Sequence, residues 1–250
     1  MQLYTATLAL LALPLLAGAQ GRSFLGLGVI DTPGHYTLNR ELSSRSGVDA
    51  ILITASNVTL DLNGQSVIGP GGKAGTGIRI RGARGVKVMN GHLSNFAFGV
   101  IVENSDNVVL TGLQIRGEGL PVTAPPPETG IMIVQSRNVI VTENALFNVG
   151  LGVFVRGGRS YGNRIAENTL TGGTNGILGI CYNPADGDPM GPRSDFIYGN
   201  QIVNFNIGIQ FSPTSRANIA KENTIAYRVA AFDIQNDTNI DLGNTTVMFP

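Results

Sequence analysis

The sequence predicts an all-β solenoid of about eight coils forming one domain. Three observations lead there: a Gly-apolar motif recurring at near-constant steps, a second strand motif and an Asn series that share its insertions, and the lack of capped helix-period segments after the first twenty residues. Seventeen basic residues balance seventeen acidic ones, and charged residues make up only 14% of the chain. No broad positive field of the kind that nucleic acid or a membrane surface would need is present, so neither partner is expected. With 42% apolar residues the chain is not of disordered composition, and 34 Gly with 22 Asn give it many sharp corners. A single cysteine, Cys181, excludes an intramolecular disulfide framework and a cysteine-rich zinc site.

Taken in chain order, Leu8 to Leu16 is an apolar run broken by Pro14 and followed by Ala17-Gly18-Ala19. Residues 1–19 therefore read as a secretory signal cut after Ala19, which implies a secreted, periplasmic or extracellular product. No later stretch is long and apolar enough for a membrane span. Residues 20–49 read as an N-terminal extension and cap, and residues 50–250 as the solenoid.

The repeat starts are Gly77-Ile78, Gly99-Val100, Gly130-Ile131, Gly152-Val153, Gly176-Ile177, Gly208-Ile209 and Ala231-Phe232, at steps of 22, 31, 22, 24, 32 and 23 residues. Asn144, Asn168, Asn200, Asn223 and Asn244 follow the second motif at steps of 24, 32, 23 and 21. Each repeat offers short strands that cannot bury their inward side chains alone. Stacking the coils at about 4.8 Å pairs every strand in parallel with the next. The inward column is expected to be Ile78, Val100, Ile131, Val153, Ile177, Ile209 and Phe232, and the Asn side chains are expected to bond to one another from coil to coil.

These short Asn-rich repeats, over roughly Asp49 to Asn244, together with Thr32-Pro33-Gly34-His35-Tyr36-Thr37-Leu38 and Ala55 to Gly64, resemble the right-handed parallel β-helix proteins of the pectate-lyase-like superfamily. The resemblance implies a single-stranded right-handed parallel β-helix. It covers pectate lyases, polygalacturonases, alginate epimerases, phage tailspikes and non-catalytic surface proteins, so fold alone does not select an activity. The Asn-Thr-Asp, Gly-His-Gly and Arg-Ile-Lys stretches of the polygalacturonase type are missing, as are the Arg-x-Pro-x-x-Arg of the lyases and the Asp-Pro-His-Asp of the epimerases; here Asp188-Pro189 continues with Met190. A copper-handling role, by analogy with NosD-like β-helices, calls for His or Met clusters that His35, His92 and four scattered non-initiator Met residues do not supply.

Two insertions interrupt the repeat. Gly117 to Thr129 contains Pro121 and Pro125-Pro126-Pro127; Tyr182 to Asp195 gathers acids, an arginine and an aromatic. Loops on a rigid scaffold are where binding groups tend to sit. The candidate catalytic residues are Asp186, Asp188, Asp195 and Arg193, with Tyr182, Arg156, Gln210 and Glu103 as candidate substrate contacts. Paired carboxylates suit glycoside hydrolysis, a carboxylate-bound Ca2+ suits uronate chemistry, and an Arg suits a uronate carboxylate. Asp-Gly-Asp-Pro is also ordinary turn chemistry. Ile101, Met132, Phe154 and Leu178 are expected to align as an outward apolar stripe, available for self-association or lying beneath an insertion. Two functions follow. One is a secreted protein that binds or processes an acidic polysaccharide as a lyase, hydrolase or epimerase; the other is a non-catalytic extracellular β-helix used for attachment, glycan binding or self-association.

Overall fold

The computed structural model describes residues 22–24, 26–120 and 127–249; the signal assigned to residues 1–19 and the proline stretch 121–126 lie outside them. The described residues form a right-handed parallel β-helix of nine turns with no α-helix. Each turn passes through three sheet faces. Face A holds Gly28–Ile30, Asp49–Ile53, Thr76–Arg81, Phe98–Glu103, Thr129–Val134, Leu151–Arg156, Leu178–Asn183 and then 207–211 and 230–234. Face B follows with segments such as 106–111, Arg137–Thr142, Arg164–Ala166 and Phe196–Tyr198. Face C closes the turn with segments such as 113–116, Ala145–Val149, Thr169–Gly172 and 201–203. Strand pairing is already present within residues 20–49: Gly28–Ile30 pairs with Asp49–Ile53, and Gly34–Leu38 with Val58–Asp61, and the turns number about nine, in keeping with the expected eight or so.

The core is the set of inward columns. On face A one column is Ile51, Ile78, Val100, Ile131, Val153, Ile180, Ile209 and Phe232, all but Phe232 fully buried. Ile180, not Ile177, occupies the sixth of these positions. Gly176-Ile177-Leu178 and Gly179-Ile180-Cys181 carry the same pattern three residues apart, and the turn after Gly172 absorbs the first of them. A fully buried aliphatic side chain contributes roughly 1.5–3 kcal/mol, and the columns supply dozens.

From Thr76–Arg81 to 207–211, the glycine at the second position of each face A strand is needed for space rather than for backbone freedom. A Cβ on Gly99 would sit 2.6 Å from the Gly130 carbonyl oxygen and 2.5 Å from Cγ2 of Ile115; one on Gly77, Gly130, Gly179 or Gly208 would meet the next coil's carbonyl at 2.6, 2.8, 2.6 or 2.7 Å. The series ends at Ala231, over which no further face A strand stacks.

The Asn ladder forms as expected. The backbone N–H and side-chain amide of Asn144 both donate to Asn168 Oδ1 at 3.0 Å; Asn168 repeats this to Asn200, Asn200 to Asn223, and Asn223 to Asn244, at 2.7–3.0 Å. The left-handed backbone at this corner belongs to the preceding residues, Glu143, Glu167, Gly199, Glu222 and Gly243, so these asparagines are used for their amides. Each satisfies donors that a buried corner would otherwise leave unpaired.

Replacing Gly99 with Ala should lower the unfolding free energy by about 2 kcal/mol through overpacking, whereas Gly26→Ala, which meets no atom within 4 Å, should leave it unchanged. Urea titration of both variants checks this.

Candidate functional site

The insertion at 183–195 leaves face A and lies against the corner that leads to face B. Asp188 fastens it: its carboxylate accepts from Gln135 Nε2 at 2.9 Å, from the Gly158 N–H at 2.8 Å and from the Met190 N–H at 2.9 Å. The Gln135 bond first, then those backbone donors, hold the Asp188 carboxyl below the usual carboxylate range. Asp186, almost wholly exposed, pairs with Arg156 at 2.7 Å, and that guanidinium lies 5.4 Å from the centre of the Phe154 ring. Arg193 donates to the Gly158 carbonyl at 2.7 Å.

Two of the expected site residues turn inward. Asp195 is 1% exposed and Tyr182 is fully buried, its ring edge-on to Phe211 at 5.2 Å. Asp195 is a rung in a second ladder at the entry to face B. Asn163 donates its backbone N–H and side-chain amide to the two Asp195 oxygens at 2.7 and 3.1 Å, and the Asp195 N–H donates to Asn218 Oδ1 at 3.0 Å; Asn218 continues to Asn239. Asp195 stands 32 residues after Asn163 and 23 before Asn218, the same steps that separate Asn168, Asn200 and Asn223, so the sequence already marks it as a rung. An aspartate there has no side-chain hydrogen to donate onward unless its carboxyl is protonated. Burial pushes its pKa up to about 7, against the pull of the Asn163 donors. The neighbouring Tyr182 hydroxyl is buried short of a well-formed hydrogen bond; burial first, then the nearby Asp195, pushes its pKa up, and it in turn adds to the pull on Asp195. The remaining two expected contacts lie apart: Gln210 bonds to Asp233, and Glu103 is taken up by Arg79 and Arg81.

The outward apolar stripe does not form as expected. Phe154 pairs in register with Cys181, not Leu178, which aligns with Leu151 and Ile207; Ile101 and Cys181 are buried, leaving Met132 and Phe154 half-buried. The same three-residue slip that displaced Ile177 explains it.

What the repeat analysis missed is a polar column along the A–B corner. Asp106 aligns with Arg84 on one coil and Arg137 on the next, and single parallel bridges then link Arg137 to Tyr161, Tyr161 to Arg193 and Arg193 to Arg216. Asp106 takes both flanking arginines, at 3.2 and 3.1 Å; its carboxyl is held low by the Asn138 amide first and Arg137 next. Arg137 also donates to the Tyr161 hydroxyl at 3.0 Å and lies 5.8 Å from that ring's centre, while Arg193, one coil beyond, lies 5.3 Å from it. Beside the column run two adjoining cavities of about 490 Å³ each, sharing Asn104, Gln135 and Arg159; Arg84, Arg137 and Tyr161 line one, Asp188 and Met190 the other. Steps of 22, 31, 24, 32 and 23 residues separate the six column residues, a period visible in the sequence but spread over three residue types.

The family model described as "Periplasmic copper-binding protein (NosD)" matches residues 52–245. No curated protein sequence matches the chain. Among solved structures, the exopolygalacturonase of Thermotoga maritima is similar with a TM-score of 0.62 at 9% identity, covering 90% of this chain and 72% of that one. The endo-xylogalacturonan hydrolase of Aspergillus tubingensis gives 0.51 at 14% identity, over 90% and 84%, and the Dettilon tailspike protein 0.51 at 15%, over 90% and 53%. At these identities the likeness establishes the fold. Copper does not fit the described residues: no three His, Cys, Asp or Glu side chains gather to hold a metal, and Cys181 is buried with its thiol pKa driven up by desolvation. No described helix is long and apolar enough to cross a membrane.

Asp195→Asn should complete the second ladder. Folded Asp195 holds its proton to about pH 7 while a free carboxyl loses it near 3.8, so wild-type stability falls as pH rises from about 4 to 7 and then levels. The variant should gain on the wild type by a few kcal/mol at most at pH 8 and by much less at pH 5; equal gaps at the two pH values, measured by urea unfolding, would contradict this.

Proposed function

We propose that this chain, which belongs to the family of periplasmic copper-binding proteins (NosD), is an exported β-helix that binds an acidic polysaccharide along the A–B corner without cutting it. The observation that carries the reading is the groove itself: two adjoining cavities on a rigid solenoid, lined by arginines, a tyrosine and amide side chains. Guanidinium groups suit carboxylates, and amide and hydroxyl groups suit sugar hydroxyls. Arg156 pairs with Asp186 of the 183–195 loop, and Asp188 and Arg193 hold that loop in place. Export rests on the apolar run at residues 8–16 and on the family's periplasmic description.

The carboxylates of the loop do not support hydrolysis. Asp186 is ion-paired, Asp188 is bound by three donors with a lowered pKa, and Asp195 is sealed inside a ladder. A general acid needs a raised pKa and access to the glycosidic oxygen; Asp188 is held low, Asp195 has no access, and the Asp186 carboxylate is committed to Arg156. Calcium has no role in this reading, because the groove offers guanidinium groups where a hard cation needs clustered oxygens.

Retention on immobilised polygalacturonate and alginate, with a neutral glucan as control, tests the proposal. Binding to the acidic polymers alone should weaken with added salt, persist in a chelator and release neither unsaturated uronate nor new reducing ends. Indifference to every acidic polymer overturns the binding reading, and a cleavage product overturns its non-catalytic half.

A further inference from the structure

Arg84, Asp106, Arg137, Tyr161, Arg193 and Arg216 occupy one line on six successive coils. Building on the polysaccharide reading above, we infer that this line measures charge spacing: an extended uronate chain lies parallel to the solenoid axis, its carboxylates meeting the arginines on the four coils that carry them, with Asp106 neutralised between Arg84 and Arg137 and Arg137–Tyr161–Arg193 as the fixed centre.

Register comes first. Parallel strands repeat at about 4.8 Å per coil, comparable to the advance of one extended pyranose unit, so the corner presents side chains at the pitch of a sugar chain. Rigidity comes second. Arg137 is held by Asp106 and the Tyr161 hydroxyl, and Arg193 by the Gly158 carbonyl, with the Tyr161 ring between them. Each guanidinium has five N–H donors in a fixed fork, and these contacts use only some of them. Donors fixed in advance bind at a smaller entropic cost than free surface side chains.

Charge comes third. Five arginines, the four of the column and Arg159 beside it, face two carboxylates, Asp106 and Asp188, on a chain whose net charge is zero. Among the described residues Arg159, Arg193 and Arg216 enter no ion pair, so the excess lies toward the C-terminal end of the column. Tyr161 is a positioning residue, since its ring and hydroxyl fix the two arginines on either side.

Titration calorimetry with galacturonate oligomers from dimer to hexamer tests this. Wild-type affinity should climb with each added sugar. Arg193→Gln and Arg216→Gln should each weaken the hexamer about five- to tenfold and the dimer far less. Arg216 is exposed and its side chain makes no hydrogen bond or ion pair among the described residues, so its variant keeps the test sound if Arg193→Gln disturbs the loop. Tyr161→Phe should retain most of the affinity and Tyr161→Ala should lose it. Arg116→Gln removes the same charge from face C and should change nothing. Affinity that ignores length, an equal loss in Arg116→Gln, or tighter binding of dextran sulfate than of hexagalacturonate overturns the spacing inference while leaving polysaccharide binding intact. Failure of wild type to bind any uronate length overturns the polysaccharide reading itself.

Discussion

Each strand takes its backbone partners from the coil below and the coil above, and this constraint governs the rest of the molecule. A coil that fails to return to the same place on all three faces would leave buried N–H and C=O groups unpaired at a cost of about 1–3 kcal/mol each. Length changes are therefore confined to corners, as at 117–129 and 183–195, while the strand registers on either side continue unbroken. The corners meet the same demand with side chains: Asn144 to Asn244 at one, Asn163 to Asn239 at another, and Ser105, Ser136 and Ser160 beside the second, each hydroxyl oxygen accepting a backbone N–H from the coil below.

Stacking turns each sequence position into a line. Inside, the lines are aliphatic columns and amide ladders; along the space-limited start of face A, the line is glycine. Outside, the same geometry can align charge without any local cluster in the sequence, which is how a neutral chain comes to carry an arginine-rich corner. Asp195 shows the cost of departing from a line: an acid in an amide position must keep its proton or leave its neighbour's oxygen with the backbone N–H as its one donor.

The fold was legible because alternation, small residues and Asn all recur with shared insertions. The first Asn ladder could be named rung by rung for that reason. The tandem Gly176-Ile177-Leu178 and Gly179-Ile180-Cys181 defeated the alignment locally, since periodicity alone does not say which glycine meets a neighbouring carbonyl. Site prediction went less far. It favoured Tyr182 to Asp195 because that loop is locally rich in functional groups, yet burial places Tyr182 and Asp195 inside and hydrogen bonding commits Asp188 to the loop. Arg137, Tyr161 and Arg216 are unremarkable among their sequence neighbours, and only the stacked register brings them together.

Hydrogen exchange read by mass spectrometry tests the coil-stacking account most directly. The ladder-capped corner amides of Asn144, Asn168 and Asn200 should be protected as strongly as the strands around them, despite lying in turns, with protection falling toward the last coil at 240–248. Corner amides exchanging at the rate of open loops would contradict it.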